Sequence, residues 1–321
     1  MSEIVETVPF DAKRIGELKN KYYNATVVHR IDTHPDLARF RIRPDKPFPP
    51  FEPGQFVSLG IGNWENRVED TQEEALTEKD WAKCIQRAYS ISCPMLDEHG
   101  NLATVNDVDY LEFYVTLVRH ADPGQPPPVV TPRLFGCGIG DRLMIGKKIV
   151  GHYTIGSINP DDTILMLSTG TGEAPHNAMA AHLLSNNHRG RIVNATSVRN
   201  RIDLAYTAEH ARLMDQYSQY CYLPFSTRDP ENIDANHPGY VGKQYLQELF
   251  VSGKLAEMAD DPLDPKNTHV FLCGNPAMIG YVPPGAEPPS ATGMLPLLKE
   301  AGFKDDHDYE GPGSIRFEKY W

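Results

Sequence analysis

Apolar and polar residues alternate through the first half of the chain. From Leu111 onward, every second residue of Leu111–Val118 is apolar, which is the period-two pattern of a half-buried β-strand. Val27–Ile42 is rich in β-branched and aromatic residues and is interrupted at His34-Pro35, which predicts a hairpin. Many short strands with little helical periodicity predict a small antiparallel β-barrel. Further strands are predicted at Phe56–Leu59, Asp141–Ile145 and His152–Ile155.

Beyond Pro160, continuous apolar runs alternate with stretches of helical spacing. Thr163–Ser168 has the composition of a buried strand, and a glycine turn and a helical pattern around Ala180 follow it. Strands and helices that alternate in this way predict right-handed βαβ units on a parallel sheet. Further strands are predicted at Arg191–Val198, Tyr220–Phe225, Thr268–Cys273 and Ser314–Trp321, and further helices near Leu204–Ala211, Tyr245–Phe250 and Met294–Leu298.

The two patterns divide the chain into three predicted parts. Residues 1–21 form an N-terminal extension, residues 22–157 an antiparallel β-barrel, and residues 158–321 an α/β domain with a parallel sheet. The acidic segment Trp64–Lys83 interrupts the barrel pattern, and we predict that it is an exposed excursion.

The composition of the chain argues against several classes of protein. The 31 basic and 43 acidic residues give a net charge of −12, which argues against a nucleic-acid-binding protein. No apolar run approaches the roughly 20 residues that span a bilayer, so we predict a protein without a membrane span. The five cysteines are scattered and include no Cys-x-x-Cys pair, which disfavours a disulfide scaffold, a zinc ribbon and a self-contained iron–sulfur cluster. We therefore predict no metal site, and a cytoplasmic protein, because thiols stay reduced in the cytosol.

The first candidate for chemistry is Arg87-Ala88-Tyr89-Ser90. On a strand, Arg87 and Tyr89 lie on one face. A guanidinium binds a pyrophosphate and a phenol ring stacks on a flat heterocycle, and a flavin dinucleotide offers both groups. The alternative is an ordinary half-buried strand with a solvated arginine.

Three turns supply the other candidates. Thr131 before Pro132 predicts the cap and first residue of a helix, which suits an anion. The turn Thr169–Gly172 joins a strand to a helix, where open α/β sheets bind ligands, although Pro175 stands where a G-x-G-x-x-G motif has its third glycine. Cys273-Gly274-Asn275-Pro276 ends another strand at the same predicted edge.

The order of these motifs resembles that of the ferredoxin–NADP(+) reductase family, and in particular its bacterial type. The motifs are Arg-x-Tyr-Ser, Thr-Pro-Arg-Leu, Thr-Gly-Thr-Gly-x-Ala-Pro, Cys-Gly-Asn-Pro-x-Met and a terminal Tyr-Trp. The resemblance covers residues 22–321, with insertions near 62–84, 121–129, 229–239 and 279–290. It implies an FAD-dependent enzyme in which NADPH exchanges a hydride with flavin N5 and the flavin exchanges single electrons with ferredoxin or flavodoxin. The flavin is then expected in a cleft between the two domains.

The resemblance also implies roles for individual residues. Arg87 would hold the FAD pyrophosphate, Tyr89 would stack on the isoalloxazine, and Cys273 would border the nicotinamide. The implied catalytic residues are Ser90, Cys273 and Tyr320. The implied FAD-binding residues are Arg87, Ala88, Tyr89, Ser90, Tyr114, Val129, Val130, Thr131, Thr171 and Trp321. The implied NADP-binding residues are Thr169, Gly170, Arg199, Thr227, Arg228, Lys243, Gly274, Asn275, Pro276 and Met278.

The choice between NADP and NAD can be argued from strand ends. NAD enzymes place an acidic residue at the end of the second strand, whereas this strand ends at Arg199 and the third ends beside Arg228. Both ends are therefore basic, which favours a 2′-phosphate. Lys243 stands where bacterial relatives tend to have Arg, and a lysine offers only a point charge.

An acidic electron carrier implies a basic docking surface. Arg133, Arg142, Lys147 and Lys148 lie in the barrel half, and we hypothesise that they form it. Alternative functions remain open at this point: a reductase module serving an oxygenase, a general NAD(P)H–flavin reductase, or a non-catalytic flavin- or nucleotide-binding regulator.

Overall fold

The computed structural model describes residues 7–282, 292–304 and 311–320, and these form two compact units. The first unit contains residues 7–51, Gln55–Ile91 and Asn106–Gly151. The second contains Glu52–Gly54, Ser92–Val105 and the described residues from His152 onward. The chain therefore passes into the second unit before residue 158, and Ser92–Val105 belongs to the second unit although it lies inside the predicted barrel segment.

The described residues form thirteen strands and ten α-helices. The strands are β1 Ala25–His34, β2 Leu37–Pro44, β3 Phe56–Gly62, β4 Cys84–Ser90, β5 Met95–Leu96, β6 Leu102–Ala103, β7 Leu111–Thr116, β8 Arg142–Ile145, β9 Thr163–Thr169, β10 Ile192–Val198, β11 Tyr220–Ser226, β12 Thr268–Gly274 and β13 Ile315–Lys319. The helices are α1 Ala12–Tyr22, α2 Glu78–Trp81, α3 Val130–Leu134, α4 Glu173–Ser185, α5 Thr207–Gln216, α6 Pro230–Ile233, α7 Leu246–Val251, α8 Lys254–Ala259, α9 Pro276–Ile279 and α10 Met294–Glu300.

The first unit is built on a six-stranded antiparallel sheet. Its strand order is β4-β3-β8-β1-β2-β7, and the predicted hairpin is present as β1 and β2. The ring of Tyr89 on β4 lies 6.4 Å from that of Phe113 on β7, edge to face. The two edge strands therefore approach each other, as the curling of a barrel requires. The predicted strand at His152–Ile155 is wrong, because these residues are irregular.

The acidic segment that was predicted to be an exposed excursion is partly buried. Trp64 is 3% exposed and packs with Leu18 of α1 and with Tyr23. Helix α1 itself begins where Asp11 accepts a hydrogen bond from the backbone N–H of Arg14 at 2.7 Å. The start of the excursion thus contributes to a small second core of the first unit.

The second unit is built on a five-stranded parallel sheet in the order β11-β10-β9-β12-β13. The chain first moves outward from β9 through β10 to β11 and then returns to the other side of β9 with β12. The strand order therefore reverses between β9 and β12, and open α/β sheets bind ligands at the carboxyl ends of such strands. An antiparallel sheet unit followed by a parallel α/β unit confirms the predicted fold class. No helix in the described parts of the chain is long and apolar enough to cross a membrane.

Buried His176 links the stability of the second unit to pH. It is wholly buried in α4, and this burial lowers its pKa from 6.5 to about 3. Between pH 3 and 6.5 the unfolded chain binds a proton at this position that the folded chain does not, so stability rises with pH across this window and falls on acidification.

We expect His176→Gln to flatten this dependence. Gln keeps a hydrogen-bonding side chain but cannot titrate, so the slope of unfolding free energy between pH 6 and 4 should drop by up to about 1.4 kcal/mol per pH unit. Urea unfolding at several pH values measures both slopes. Equal slopes for the two proteins would show that His176 is not the group responsible.

Candidate functional site

Two glycine turns meet where the strand order of the second unit reverses. A Cβ atom at Gly172, after β9, would collide with the backbone carbonyl of Cys273 at the end of β12. A Cβ atom at Gly274 would collide with the side chain and carbonyl of Thr169, and Gly274 has a φ of +121°. The backbone N–H of Asn275 donates to Thr169 Oγ1 at 2.8 Å. Only glycines allow this approach, whereas a Cβ at Gly170 would meet no protein atom within 4 Å.

Cys273 is buried beside these turns. It pairs in register with Glu318 of β13, so the two side chains share one face of the sheet. Burial raises the pKa of the Cys273 thiol, and burial also raises the pKa of Glu318. The backbone N–H of Tyr320 donates to the carbonyl of Gly274 at 2.8 Å. The structure therefore brings Cys273 and Tyr320 close together.

Glu318 is a candidate site residue that the sequence reasoning missed. It shares the neighbourhood of Cys273 with a buried pair in which the Tyr153 hydroxyl and His176 Nε2 are 2.8 Å apart. Burial raises the pKa of Tyr153, and the charges of Cys273 and Glu318 raise it further. Finding Glu318 from sequence requires the β12–β13 register, which no local motif reveals.

Basic residues converge at the carboxyl ends of β10 and β11. The backbone N–H groups of Thr227 and Arg228 both donate to the carbonyl of Arg199, at 3.2 and 2.8 Å. The side chains of Arg199 and Arg228 are exposed, while the Thr227 hydroxyl donates to the carbonyl of Val198 at 3.1 Å. The two predicted phosphate-binding arginines therefore stand next to each other.

Lys243 is tied to the same strand end through one asparagine. Asn232 accepts a hydrogen bond from Ser226 at 2.8 Å and donates to the carbonyl of Gly242 at 2.9 Å. Lys243 follows Gly242 directly and is exposed. By contrast, Arg201 is held by Glu231 at 2.8 Å.

Glu173 follows the first glycine turn, but its side chain faces the interior. Its carboxylate accepts a hydrogen bond from the hydroxyl of Tyr222 at 2.7 Å and lies 2.9 Å from His210 Nε2. His210 Nδ1 is in turn 2.8 Å from the hydroxyl of Tyr220. All four residues are buried. This network packs α4 and α5 against the sheet.

In the first unit, β4 presents the predicted flavin-binding residues at the edge of the sheet. Arg87 and Ala88 are exposed, Tyr89 is half-buried, and Ser90 is 8% exposed. Burial raises the pKa of the Tyr89 phenol. Helix α3 contacts β3 and β4, so it lies beside this edge. Tyr114 is buried on β7, where it pairs with Arg39 of β2.

The turn that precedes α3 differs from its predicted form. The helix begins at Val130, so the prediction that Thr131 caps it is wrong. The hydroxyl of Thr131 instead accepts a hydrogen bond from the backbone N–H of Val118 at 3.1 Å. This bond ties the turn to the segment that follows β7.

The hypothesis of a four-residue basic docking surface is wrong for Arg133, which is buried. Arg133 is 1% exposed and forms an ion pair with Glu74 at 2.6 Å, because α3 turns this side chain inward. Arg142 forms two bonds with the carboxylate of Asp45, each at 2.5 Å. Lys147 and Lys148 are exposed.

The sequence of the chain is similar to those of known oxidoreductases. Residues 166–283 match the family of the oxidoreductase NAD-binding domain. The chain is 26% identical over 283 residues to a flavodoxin/ferredoxin–NADP reductase of Buchnera aphidicola, covering 88% of this chain and 92% of that one. It is 27% identical to a ferredoxin–NADP reductase of Azotobacter vinelandii, covering 71% and 75%. The sequence of the chain is thus similar to those of the bacterial ferredoxin–NADP(+) reductases. The resemblance predicted from the motifs is thereby confirmed.

Solved structures agree on the fold. The chain matches a ferredoxin–NADP(+) reductase from Neisseria gonorrhoeae, solved with bound FAD and NADP, at a TM-score of 0.67 and 20% identity, covering 93% of this chain and 98% of that one. A cytochrome P450 reductase from Amycolatopsis matches at a TM-score of 0.61 and 21% identity, covering 92% and 69%.

The matched NAD-binding segment includes all ten predicted NADP-binding residues. It runs from β9 through α9, and so contains both glycine turns and the two arginines. Within α9, Pro276 is the first residue and Asn275 caps the helix by accepting a hydrogen bond from the N–H of Ala277 at 2.8 Å. Met278 lies in the core, so we do not assign a nucleotide contact to its side chain. Trp321 lies outside the described residues.

Proposed function

We propose that this chain is a flavoprotein that transfers electrons between NADPH and ferredoxin or flavodoxin. The observation that carries the proposal is the meeting of two glycine turns at the strand reversal of the second unit, in a chain related to the bacterial reductases. The Neisseria structure of the same fold was solved with FAD and NADP.

The residues of the first unit fit an FAD. Tyr89 offers a half-buried ring at the sheet edge and Arg87 an exposed guanidinium two residues before it. We propose that Tyr89 stacks on the isoalloxazine and that Arg87 and the turn Val129–Thr131 hold the pyrophosphate. Ser90 and Tyr114 then border the same flavin.

The residues of the second unit fit an NADP. The open space at Gly170 allows a ligand to approach the backbone, as a dinucleotide requires. We propose that Thr169, Gly170, Gly274 and Asn275 hold the pyridine nucleotide. Arg199, Arg228 and Lys243 would then bind its 2′-phosphate.

The protein's own chemistry is to bind and orient. When bound, a flavin accepts a hydride from a dihydronicotinamide and passes electrons singly to a carrier. Cys273 is buried and un-ionised at neutral pH, because its pKa is raised, so it offers an apolar edge to the nicotinamide. Burial also raises the pKa of Glu318, the cross-strand neighbour of Cys273. We propose that Tyr320 moves aside when the nicotinamide enters.

Carrier-dependent turnover tests the proposal. Purified protein should reduce cytochrome c with NADPH when ferredoxin or flavodoxin is added, and only slowly when the carrier is omitted. A general flavin reductase would give the same rate with free flavin and no carrier. A non-catalytic regulator would show no turnover under any of these conditions, and this would refute the proposal.

We expect the two exposed lysines to affect only the carrier step. Lys147→Glu combined with Lys148→Glu should slow ferredoxin reduction about tenfold at low salt, since charges at the edge of an interface act on the association rate. Reduction of ferricyanide by NADPH should be unchanged. Rates for both acceptors at two salt concentrations measure this effect. Equal losses for the two acceptors would exclude a docking role.

A further inference from the structure

The acidic excursion of the first unit is hydrogen-bonded to α3 and to the segment after β7. The backbone N–H of Val68 donates to the carbonyl of Pro132 at 2.9 Å. Further along, the N–H of Gln72 donates to the carbonyl of Arg119 at 2.8 Å. The excursion therefore runs from the end of β3 across α3 to the segment after β7. We call residues 63–83 the strap.

Three charged side chains join the strap to α3 by ion pairs. Arg133, from α3, is 0% exposed at its side chain and pairs with Glu74 of the strap at 2.6 Å. Arg67 of the strap pairs with the same Glu74 oxygen at 2.9 Å. Two arginines thus share one carboxylate. Burial lowers the pKa of Arg67, while Glu74 raises it and Arg133 lowers it.

Both guanidinium groups also bind carbonyl groups of the turn. Arg67 donates to the carbonyl of Pro128 at 2.8 Å, and Arg133 donates to the carbonyl of Val129 at 3.0 Å. In a planar trans peptide the C=O and the following N–H point in opposite directions. The N–H groups of Val129 and Val130 must therefore point away from the arginines.

We propose that the strap is a positioning element for the flavin pyrophosphate. Arg67 and Arg133 fix two carbonyl groups of the turn so that the N–H groups of Val129 and Val130 face the phosphates. This inference rests on the proposed function, because it assumes that FAD binds at this turn.

A comparison of flavins with different numbers of phosphate groups distinguishes a positioning role of the strap from a general effect on stability. Riboflavin, FMN and FAD share one ring system but carry no phosphate, one phosphate and a pyrophosphate. Removing one charge-assisted contact from the turn should therefore weaken FAD about tenfold while leaving riboflavin within about twofold. Damage to the whole barrel would weaken all three ligands alike.

The experiment titrates full-length wild-type protein and two strap variants with the three flavins. Arg67→Gln removes the outer guanidinium, which is 17% exposed at its side chain. Glu74→Gln removes the shared carboxylate. If Glu74→Gln does not fold, Arg67→Gln alone tests the proposal. Its replacement destabilises the fold less, because the Arg67 side chain is partly exposed. We expect the FAD-to-riboflavin affinity ratio to fall about tenfold in each folded variant.

A core variant of the same unit serves as the control. Ile42→Ala opens a cavity in β2, where Ile42 is fully buried, and destabilises the unit without touching the strap. Its FAD-to-riboflavin ratio should equal that of the wild type. An unchanged ratio in Arg67→Gln would overturn the inference. Wild-type protein that binds no FAD would instead refute the proposed function.

Discussion

Replacing Arg199 and Arg228 with glutamate should remove the preference for NADPH over NADH. Both side chains are exposed at adjacent strand ends, and the Arg199 carbonyl holds the backbone of Arg228. Each guanidinium–phosphate contact contributes about 1.5–3 kcal/mol, so the double variant should lose roughly 100-fold or more in kcat/KM for NADPH. The kcat/KM for NADH, which lacks the 2′-phosphate, should stay within about threefold.

Arg201 offers a matched control for this variant. It is equally basic and lies two residues from Arg199, but Glu231 already neutralises it at 2.8 Å. Arg201→Glu should therefore change the ratio of the two kcat/KM values by less than about threefold. Steady-state kinetics with both nucleotides give the ratios. Parallel losses for NADPH and NADH in the double variant would contradict a 2′-phosphate site.

The Gly274→Ala variant should lose nucleotide-dependent reduction while keeping its flavin. The new Cβ would collide with the carbonyl and hydroxyl of Thr169, and alanine is strained at a φ of +121°. The two glycine turns would be forced apart, so the rate of NADPH-dependent flavin reduction should fall about 100-fold or more. The first unit is untouched, so chemical reduction of the flavin by dithionite should proceed normally. Stopped-flow absorbance measures both reactions.

Gly253→Ala separates the effect of backbone strain from that of collision. Gly253 also has a positive φ, +76°, but a Cβ there would meet no atom within 4 Å. This variant should lose about 1 kcal/mol of stability and none of its nucleotide-dependent rate. Gly274→Ala protein that is reduced at the wild-type rate would show that the turns tolerate separation.

Local sequence pattern predicted most of the fold, because the two units differ in pattern. Apolar and polar residues alternate in the first unit, whereas apolar runs alternate with stretches of helical spacing in the second. Alternation in Leu111–Val118 and the apolar run Thr163–Ser168 correspond to β7 and β9, which lie in the antiparallel and the parallel sheet. The predicted strand at His152–Ile155 failed because short apolar stretches also pack as irregular segments. The grouping of Ser92–Val105 with the second unit depends on tertiary packing, which no local signal encodes.

The candidate site was predictable only where a motif is contiguous. The turns at Thr169–Gly172 and Cys273–Asn275 were found because glycines between a strand and a helix are a local signal. Glu318 was missed because its relation to Cys273 depends on strand register. Arg133 was assigned to the surface because charge alone predicts exposure. Its burial depends on Glu74, which lies 59 positions away along the chain.

In the most direct test of the account, the purified protein is mixed anaerobically with NADPH or with NADH in a stopped-flow spectrophotometer. The account predicts that the isolated protein shows the visible absorption of an oxidised flavin. It also predicts that NADPH bleaches this absorption at least 100-fold faster than NADH at equal subsaturating concentration. A protein that carries no flavin and takes up no FAD, or one whose flavin NADPH leaves oxidised, would contradict it.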